Sequence, residues 1–161
     1  MTVRVGIGYD VHPFAADDGR ALVLAGVPID GHAGLQGHSD ADAIAHAVAD
    51  ALLGPAGLPD LGTLFPASDP EYRGARSMDL LADVVARVRA TGWTVGNVDV
   101  VVNAEVPPLA GHVPAMVQNL TSVVGGFVSI TPKRGEGVGA IGRSEAIAVW
   151  AVALLERDPP A

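Results

Sequence analysis

The sequence has no cysteine, few aromatic residues and few charges for its length. Without cysteine among its 161 residues, disulfide bonds, thiolate metal sites and thiol catalysis are excluded, so any bound metal ion must be held by histidine and carboxylate groups. Charged residues make up only 17% of the chain, which excludes a disordered acidic protein. No segment approaches the roughly 20 uninterrupted apolar residues of a membrane-spanning helix.

The charges that are present are mainly acidic. A formal net charge of −8 opposes binding to nucleic acids and to anionic membranes. Arg4 and Asp10 interrupt the apolar start of the chain and argue against a signal peptide there. Together with the lack of cysteine, these features predict a soluble, cytoplasmic protein with neither a nucleic acid nor a membrane as partner.

Hydrophobic residues make up 49% of the sequence, which is enough for one sizeable core. We therefore expect a single domain over residues 1–161. Ser39 is predicted to cap the first helix, and Gly54 with Pro55 to end it. Strands that alternate with helices indicate an α/β fold. The periodicity predicts strands at 3–8, 21–24, 94–103 and 127–131, and helices at 39–53, 75–90, 113–124 and 143–156.

Asp10 and His12 form the first group with chemical content. Alternate side chains of an extended backbone share one face, so this carboxylate and imidazole point toward the same object. The spacing suits a Zn²⁺ ion, but most pairs of this kind are surface residues joined by hydrogen bonds.

The segment 38–46 holds the second group. Asp42 and His46 lie four residues apart on one helix face, which suits a shared ligand and also an ordinary solvated pair, with Ser39 and Asp40 acting only as capping residues. His46 stands among alanine, isoleucine and valine residues, where an imidazole without a partner would be costly. Either a hydrogen bond in the core or a metal ion must satisfy it.

A glycine-rich segment at residues 135–142 follows a predicted strand and precedes a predicted helix. Gly137, Gly139 and Gly142 spell the G-x-G-x-x-G pattern, but the strand and acidic residue that complete a dinucleotide fingerprint have no room to follow. Two interpretations stay open. The glycines form a phosphate cradle beside Lys133 and Arg134, or they form a plain turn.

Taken together, these segments resemble the 2-C-methyl-D-erythritol 2,4-cyclodiphosphate synthases of the non-mevalonate isoprenoid pathway. The resemblance runs nearly end to end, through residues 6–12, 38–54, 57–66, 96–99 and 142–145 in that order. As a linked set the motifs are very specific. The resemblance implies a two-layer α+β arrangement within the α/β class, with a four-stranded mixed sheet and helices on one face. It also implies a homotrimer with three sites at its interfaces.

The resemblance further implies two metal ions. Asp10, His12 and His46 would hold Zn²⁺ or Mn²⁺, with one position open to a substrate phosphate oxygen. Glu136 would hold Mg²⁺ or Mn²⁺ between two phosphates. The substrate of the family is a nucleotide diphosphate ester, 4-diphosphocytidyl-2-C-methyl-D-erythritol 2-phosphate, whose 2-phosphate attacks the β-phosphorus and expels CMP.

The same resemblance assigns the remaining site residues. His38 and Glu136 would be catalytic, and Asp10 and His12 would also contact substrate; Arg134, which stands at a departure from the family, is predicted to be catalytic by compensating for missing groups. The other implied substrate contacts are His38 and Ser39 at the phosphates, Asp60 and the Gly62 amide at the erythritol hydroxyls, Phe65, the cytosine-pocket residues Ala104, Pro107, Pro108, Leu109 and Ala110 from a neighbouring subunit, Lys133 and Arg134, and Arg143 at a central cavity.

Several departures from the family pattern fall inside this site. Ala67 stands in place of an acid, Pro108 in place of a lysine, and Ala140 in place of an aromatic residue, while residues 133–135 replace a threonine-rich run. Because two cations arrive where one cation and two hydroxyls are missing, we hypothesise that Arg134 compensates for the loss. Besides the cyclase, two functions stay open: a relative acting on another nucleotide or phosphorylated alcohol, and a non-catalytic trimer that binds nucleotide or an isoprenoid diphosphate.

Overall fold

The computed structural model describes residues 1–16 and 19–158. Helices and strands follow one another as the sequence predicts for an α/β fold. Their bounds are β1 Thr2–Pro13, β2 Ala21–Leu24, β3 Val27–Ala33, α1 Ala43–Ala56, α2 Leu61–Leu64, a 3₁₀ turn Pro70–Tyr72, α3 Ser77–Ala90, β4 Thr94–Asn103, α4 Val113–Val124, β5 Phe127–Lys133, α5 Gly139–Gly142 and β6 Ala146–Arg157.

The main sheet has four strands in the order β1-β6-β4-β5. β6 pairs antiparallel with β1 and with β4, and β4 pairs parallel with β5 across helix α4. The sheet is therefore mixed, as expected. β2 and β3 form a separate antiparallel hairpin. The register places the ends of β1, β4 and β5 at the same end of the sheet, since His12 pairs with Ile147 and Asn103 pairs with Ala148 and Lys133.

Helix α1 lies directly on β1, and two glycines make this approach possible. A Cβ atom at Gly8 would lie 1.9 Å from the Ala47 carbonyl oxygen, and one at Gly6 would lie 2.2 Å from that of Ala51. No side chain fits in so little space. These glycines occupy alternate positions of β1, so they share the face that also carries Asp10 and His12. The close packing thus sets His46 of α1 beside both residues.

The two faces of the sheet differ in their surroundings. The buried core lies between the sheet and helices α1, α3 and α4, whose apolar faces are fully covered. The opposite face carries large exposed hydrophobic side chains, with Ile7 70% and Val5 66% exposed. On the same face Tyr9 packs against Trp150, with ring centroids 5.3 Å apart. In the described part of the chain, helices therefore cover only one face, as expected.

The predicted helix at residues 143–156 is wrong, because this segment forms strand β6. Its first four residues, Ala146 to Val149, are all buried, and alternation of exposed and buried residues begins only at Trp150. β6 is an inner strand, so hydrogen-bond partners on both sides and core packing decide its conformation. A continuous apolar run of this kind does not distinguish a buried strand from a buried helix.

Two boundaries of α1 also differ from the prediction. The helix is capped by Asp42 and not by Ser39, because the Asp42 carboxylate accepts the N–H groups of Ile44 and Ala45. It continues through Gly54 and Pro55 and ends at Gly57, whose left-handed conformation (φ 76°) closes the last turn. The other predicted elements are confirmed: β4 and α4 keep their predicted bounds, while β1 and β5 run longer than predicted.

The glycine-rich segment forms a tight turn and the four-residue helix α5, which leads into strand β6. Glu136, Gly137 and Gly139 all have positive φ values in this turn. Since a strand follows it, the G-x-G-x-x-G pattern here does not begin a long helix of the dinucleotide-binding kind. Across residues 1–16 and 19–158, no helix combines the length and the apolar character needed to cross a bilayer.

Candidate metal centre and substrate cavities

Asp10, His12 and His46 converge as the resemblance implies. Asp10 and His12 project from the same face of β1, and His46 reaches them from the first turns of α1. Asp10 Oδ2 lies 2.9 Å from His12 Nε2 and 3.0 Å from His46 Nδ1, and the two ring nitrogens are 3.3 Å apart. In the part of the chain that the structure describes, this is the one group of at least three potential metal ligands whose donor atoms lie within 4.8 Å of one another.

This donor set fits a tetrahedral metal ion. Bonds of about 2.0–2.1 Å to Zn²⁺ separate neighbouring ligand atoms by about 3.3 Å, close to the spacings observed here. One carboxylate and two imidazoles leave the fourth position open, which is the ligand count of a catalytic zinc site. Imidazole and carboxylate also accept manganese, so the donor set alone does not select the metal.

The far nitrogen of each histidine is held by the protein. His12 Nδ1 lies 2.5 Å from the Gln36 carbonyl oxygen, which can only accept, so Nδ1 donates and Nε2 faces the metal site. His46 presents the opposite edge. Its Nδ1 faces Asp10, and its Nε2 lies 2.9 Å from Ser77 Oγ and 3.2 Å from Ser39 Oγ.

The charges within the group stabilise one another. Burial would raise the pKa of Asp10, but hydrogen bonds from His12 and His46 hold it well below its usual range. Burial would lower the pKa of His12, but its hydrogen bond to Asp10 and the Asp10 charge raise it above the ordinary value. Without metal, His12 and Asp10 therefore favour an ion pair, which a divalent cation would replace.

Asp42 does not pair with His46, although the two lie four residues apart. Its fully buried carboxylate accepts N–H groups from Ala25 and Gly26 of the β2–β3 turn, in addition to its two bonds at the start of α1. Burial raises the pKa of Asp42, and these N–H donors oppose that rise. Asp42 thus links the β2–β3 hairpin to α1. The side-chain hydrogen bonds of His46 are made with other residues, and the other ligands of a metal ion bound to His46 would be Asp10 and His12.

The metal group opens into a cavity of about 270 Å³, called here the metal cavity. Besides Asp10 and His12, it brings together four more of the expected substrate contacts, His38, Ser39, Gly62 and Phe65. The remaining lining residues are Asp10, His12, His46, Asp50, Leu61, Ala67, Tyr72 and Leu80. Asp60 caps helix α2, since its carboxylate accepts the Thr63 N–H and Oγ1–H groups.

Asp50 is a cavity residue that the sequence analysis missed. It lies one turn after His46 on α1, so the same i, i+4 spacing used for Asp42 and His46 could have identified it. One carboxylate oxygen accepts the Leu61 N–H at 2.8 Å and ties the segment before Gly62 to α1. Burial raises the pKa of Asp50, opposed by the Leu61 N–H.

A second cavity of about 310 Å³ lies at the ends of β4 and β5, and is called here the proline-lined pocket. It contains every residue expected to contact cytosine and shares none with the metal cavity. Its lining residues are Ala104, Glu105, Val106, Pro107, Pro108, Leu109, Ala110, Pro132, Lys133 and Arg134.

Arg134 and Glu136 lie close in sequence but differ in their contacts. Arg134 forms an ion pair with Glu105, with Nη2 2.5 Å from Oε1, and this contact lowers the pKa of Glu105. Glu136 is exposed in a left-handed turn (φ 52°) and does not belong to the group of three metal ligands. Arg143 pairs with Glu145 at 2.6 Å, away from both cavities.

The positions that depart from the family pattern fall into three places. Ala67 lines the metal cavity, Pro108 and the two cations Lys133 and Arg134 line the proline-lined pocket, and Ala140 lies exposed in α5. None of them contributes a donor to the metal group.

Comparisons with known proteins agree with this arrangement. The YgbB family matches residues 3–156. The 2-C-methyl-D-erythritol 2,4-cyclodiphosphate synthase of Bordetella petrii is 53% identical over 157 residues, which cover 96% of both chains. The bifunctional IspDF of Campylobacter jejuni aligns with a TM-score of 0.92 and 37% identity over 98% of this chain and 43% of its own. The CDP complex of Plasmodium falciparum IspF aligns with a TM-score of 0.84 and 32% identity over 98% and 97%. On this evidence the chain belongs to the YgbB family.

Proposed function

We propose that the protein is a metal-dependent cyclase that converts 4-diphosphocytidyl-2-C-methyl-D-erythritol 2-phosphate into 2-C-methyl-D-erythritol 2,4-cyclodiphosphate and CMP. The observation that carries the proposal is the convergence of Asp10, His12 and His46 at the mouth of the metal cavity. The kinship with named cyclodiphosphate synthases and with a CDP-bound structure supports the choice of substrate. We assign the enzyme to the cytoplasm, because a protein without cysteine forms no disulfide bonds and needs no oxidising compartment.

Asp10, His12 and His46 would hold Zn²⁺ or Mn²⁺, and Glu136 would hold Mg²⁺ or Mn²⁺ against the substrate phosphates. Bound divalent cations neutralise phosphate charge and polarise the oxygens of a transferring phosphoryl group. The first set, two imidazoles and one carboxylate, has the donor chemistry that this role requires. The imidazole nitrogens that face away from the metal site are already hydrogen-bonded to Gln36 and Ser77. Glu136 is exposed and free to meet a ligand at the surface.

The reaction requires no protein nucleophile. An oxygen of the substrate 2-phosphate forms a bond to the β-phosphorus, and the bond from that phosphorus to the bridging oxygen breaks as CMP leaves with the electron pair. The protein's task is to fold the substrate back on itself and hold both phosphates in line. His38 and Ser39 would contact the phosphates, and Asp60, the Gly62 amide and Phe65 would hold the methylerythritol end, since all except Asp60 line the metal cavity.

The proline-lined pocket would hold the cytosine. Prolines line it, and Lys133 and Arg134, which also line it, would place positive charge near the diphosphate. Ala104, Pro107, Pro108, Leu109 and Ala110 would form its walls. Arg134 would supply the cationic contact that the family obtains from a lysine at position 108.

We further propose that the working enzyme is a homotrimer with shared sites. The metal cavity lies at the β1 edge of the sheet and the proline-lined pocket at the β4–β5 edge, both at the same end. Strands lie about 4.8 Å apart, so the opposite edges of the four-stranded sheet, β1 and β5, are too far apart to share a site within one subunit. Packing the β5 side of one subunit against the β1 side of the next would join the two half-sites. The exposed apolar sheet face around Ile7 would supply the buried interface, and Arg143 would lie near the symmetry axis.

Direct assay tests the activity. The purified protein is incubated with the cytidylyl substrate, Zn²⁺ and Mg²⁺, and ³¹P NMR follows CMP and the cyclic diphosphate. We expect both products in equal amounts, and we expect His46→Ala to form neither. His32→Ala is the matched control, because His32 is exposed on β3 away from both cavities. Tight binding of substrate without CMP release would contradict the cyclase and favour a non-catalytic binding protein.

Sedimentation equilibrium tests the trimer. We expect the wild-type protein to sediment as a trimer and Ile7→Glu, which places a charge in the apolar sheet face, to sediment as a monomer with little cyclase activity. Ala115→Glu adds the same charge on the exposed side of α4 and should stay trimeric. A wild-type monomer with full activity would contradict the shared site.

A further inference from the structure

The side of His46 that faces away from the metal group contacts Ser77, and Ser77 in turn contacts Asp40. The motifs and the comparisons give Ser77 no role, and the sequence analysis treats Asp40 only as a capping residue. We propose that Ser77 and Asp40 are positioning residues for His46: they hold its Nε2 edge and so keep Nδ1 turned toward Asp10 and His12. The inference rests on the metal site proposed above and adds the residues that orient one of its ligands.

Two contacts connect these residues in series through the buried Ser77 side chain. His46 Nε2 lies 2.9 Å from Ser77 Oγ, and Ser77 Oγ makes a very short hydrogen bond to Asp40 Oδ1. Ser77 is only 1% exposed, so water does not replace either contact. The chain runs from a carboxylate through a hydroxyl to the imidazole, and it ends at the donor atoms of the metal group.

The direction of each hydrogen bond follows from the donor inventory. The Asp40 carboxylate can only accept, so the Ser77 hydroxyl spends its single proton on it. The Ser77 oxygen can then only accept from His46, which requires a proton on Nε2. Nδ1, which faces Asp10 without metal, is consequently the nitrogen that a metal ion would bind. Ser39 completes the arrangement, since its oxygen lies 3.1 Å from Ser77 Oγ and accepts the Ala41 N–H.

Asp40 also fixes where Ser77 stands. Helix α3 begins at Ser77 without a capping side chain of its own, because the preceding Arg76 makes no such bond. The Asp40 carboxylate fills this gap by accepting the Ser77 N–H at 3.2 Å. One carboxylate thus anchors both the backbone and the hydroxyl of Ser77, and through them the ring of His46.

The two histidines are therefore oriented by different means. His12 is held by a main-chain carbonyl, that of Gln36, which no substitution removes. His46 depends on side chains and is open to test. Groups that orient metal-binding imidazoles typically change metal affinity by about 10- to 100-fold when they are removed.

Zinc affinity measured by competition with a chromophoric chelator tests the inference. We expect Ser77→Ala to weaken Zn²⁺ binding by about 10- to 100-fold. Asp40→Asn keeps an oxygen that accepts a hydrogen bond but removes the charge, so its Zn²⁺ affinity should fall by less than that of Ser77→Ala. Ser77→Thr retains the hydroxyl and should restore affinity to near the wild-type level. Asp79→Asn is the matched control, since it removes an exposed carboxylate two residues away on the same helix.

Long-range ¹H–¹⁵N NMR of histidine-labelled protein gives a readout that a merely structural role would not move. We expect Nε2 of His46 to carry a proton in metal-free wild-type protein, and Ser77→Ala to lose that preference. An unprotonated Nε2 of His46 in the wild-type protein, or wild-type zinc affinity in the Ser77→Ala variant, would overturn the inference. Should Ser77→Ala not fold, the wild-type spectrum still decides. A wild type that binds no zinc contradicts the proposed function separately, because the spectrum is recorded without metal.

Discussion

The metal cavity and the proline-lined pocket are built in opposite ways. Donor atoms in the metal cavity come from a strand and a helix in direct contact, and each imidazole has its second nitrogen held by the protein. The proline-lined pocket is formed by loop backbone and by prolines, and its charged group is the Arg134–Glu105 pair, in which the Arg134 side chain is 67% exposed. One region depends on internal packing, whereas the cations of the other are exposed to solvent.

This difference accounts for three of the positions at which the chain departs from the family pattern. Pro108, Lys133 and Arg134 are exposed residues that line the proline-lined pocket, where a side chain can change without disturbing the core. At the metal group, a changed side chain would leave a buried charge or nitrogen without a partner. The chemistry is thus tied to the packed core, while ligand contacts are free to vary.

Removing a metal ligand should have the largest effect. His46→Ala deletes one donor and leaves only Asp10 and His12 to bind the ion. We expect Zn²⁺ affinity to fall by more than about 100-fold, which exceeds the loss caused by removing a group that only orients a ligand. Isothermal titration with Zn²⁺ measures the loss directly. The same titration on Arg134→Ala, whose change lies in the other cavity, should match the wild type. Equal losses in both variants would erase the contrast between the two regions.

Widening the contact between α1 and β1 should come next. Gly8→Ala places a Cβ within 1.9 Å of the Ala47 carbonyl oxygen, so α1 must shift away from β1 and carry His46 with it. We expect the free energy of unfolding to fall by about 1–3 kcal/mol, the usual cost of overpacking, together with weaker Zn²⁺ binding. Urea denaturation followed by circular dichroism measures the first, and zinc competition the second.

Gly54→Ala is the matched control for that variant. A Cβ at Gly54 meets nothing within 4 Å, and the residue lies in the same helix. Replacing a helical glycine by alanine should stabilise α1 by up to about 1 kcal/mol. Identical destabilisation by the two substitutions would contradict the role given to the glycines of β1.

The same contrast shows what the sequence could and could not predict. Asp10 and His12 were recognisable because strand alternation is a local rule, and His46 because a polar residue in an apolar helix needs a partner. β6 was predicted as a helix because its apolar run is continuous, and only its pairing with β1 and β4 makes it a strand. The contacts of Ser77 and Asp50 could not be predicted from the sequence either, since they depend on how α3 and the segment at Leu61 pack against α1.

The pH dependence should differ between the metal-free and metal-loaded protein. The pKa of His12 is raised above its ordinary value of about 6.5. Its pair with Asp10 therefore stabilises the metal-free protein fully below that value, and the stabilisation is lost as pH rises through the raised pKa. Zinc needs the neutral imidazole, so the increase in Tm caused by Zn²⁺ should grow over the same interval.

Thermal scans with and without Zn²⁺ across a pH series measure both trends. Asp10 adds no slope in this range because its pKa is held far below it and the carboxylate stays ionised. His12→Gln should remove the pH dependence of the metal-free Tm in this interval. A zinc-induced shift that stays constant with pH would contradict metal binding through His12.

The smallest effect should come from the solvent-exposed pocket. Arg134→Ala breaks the ion pair with Glu105 and removes a cation from the pocket rim, so we expect KM for the cytidylyl substrate to rise about two- to fivefold, the scale of a single solvent-exposed charge pair. Steady-state kinetics at two ionic strengths measures it, and the difference should shrink at the higher one because salt screens exposed charges. Arg76→Ala is the matched control, since Arg76 is equally exposed but lines neither cavity. Turnover and nucleotide affinity unchanged in Arg134→Ala would show that this arginine does not replace the missing lysine, and that Lys133 or the backbone alone carries the pocket's contact with the diphosphate.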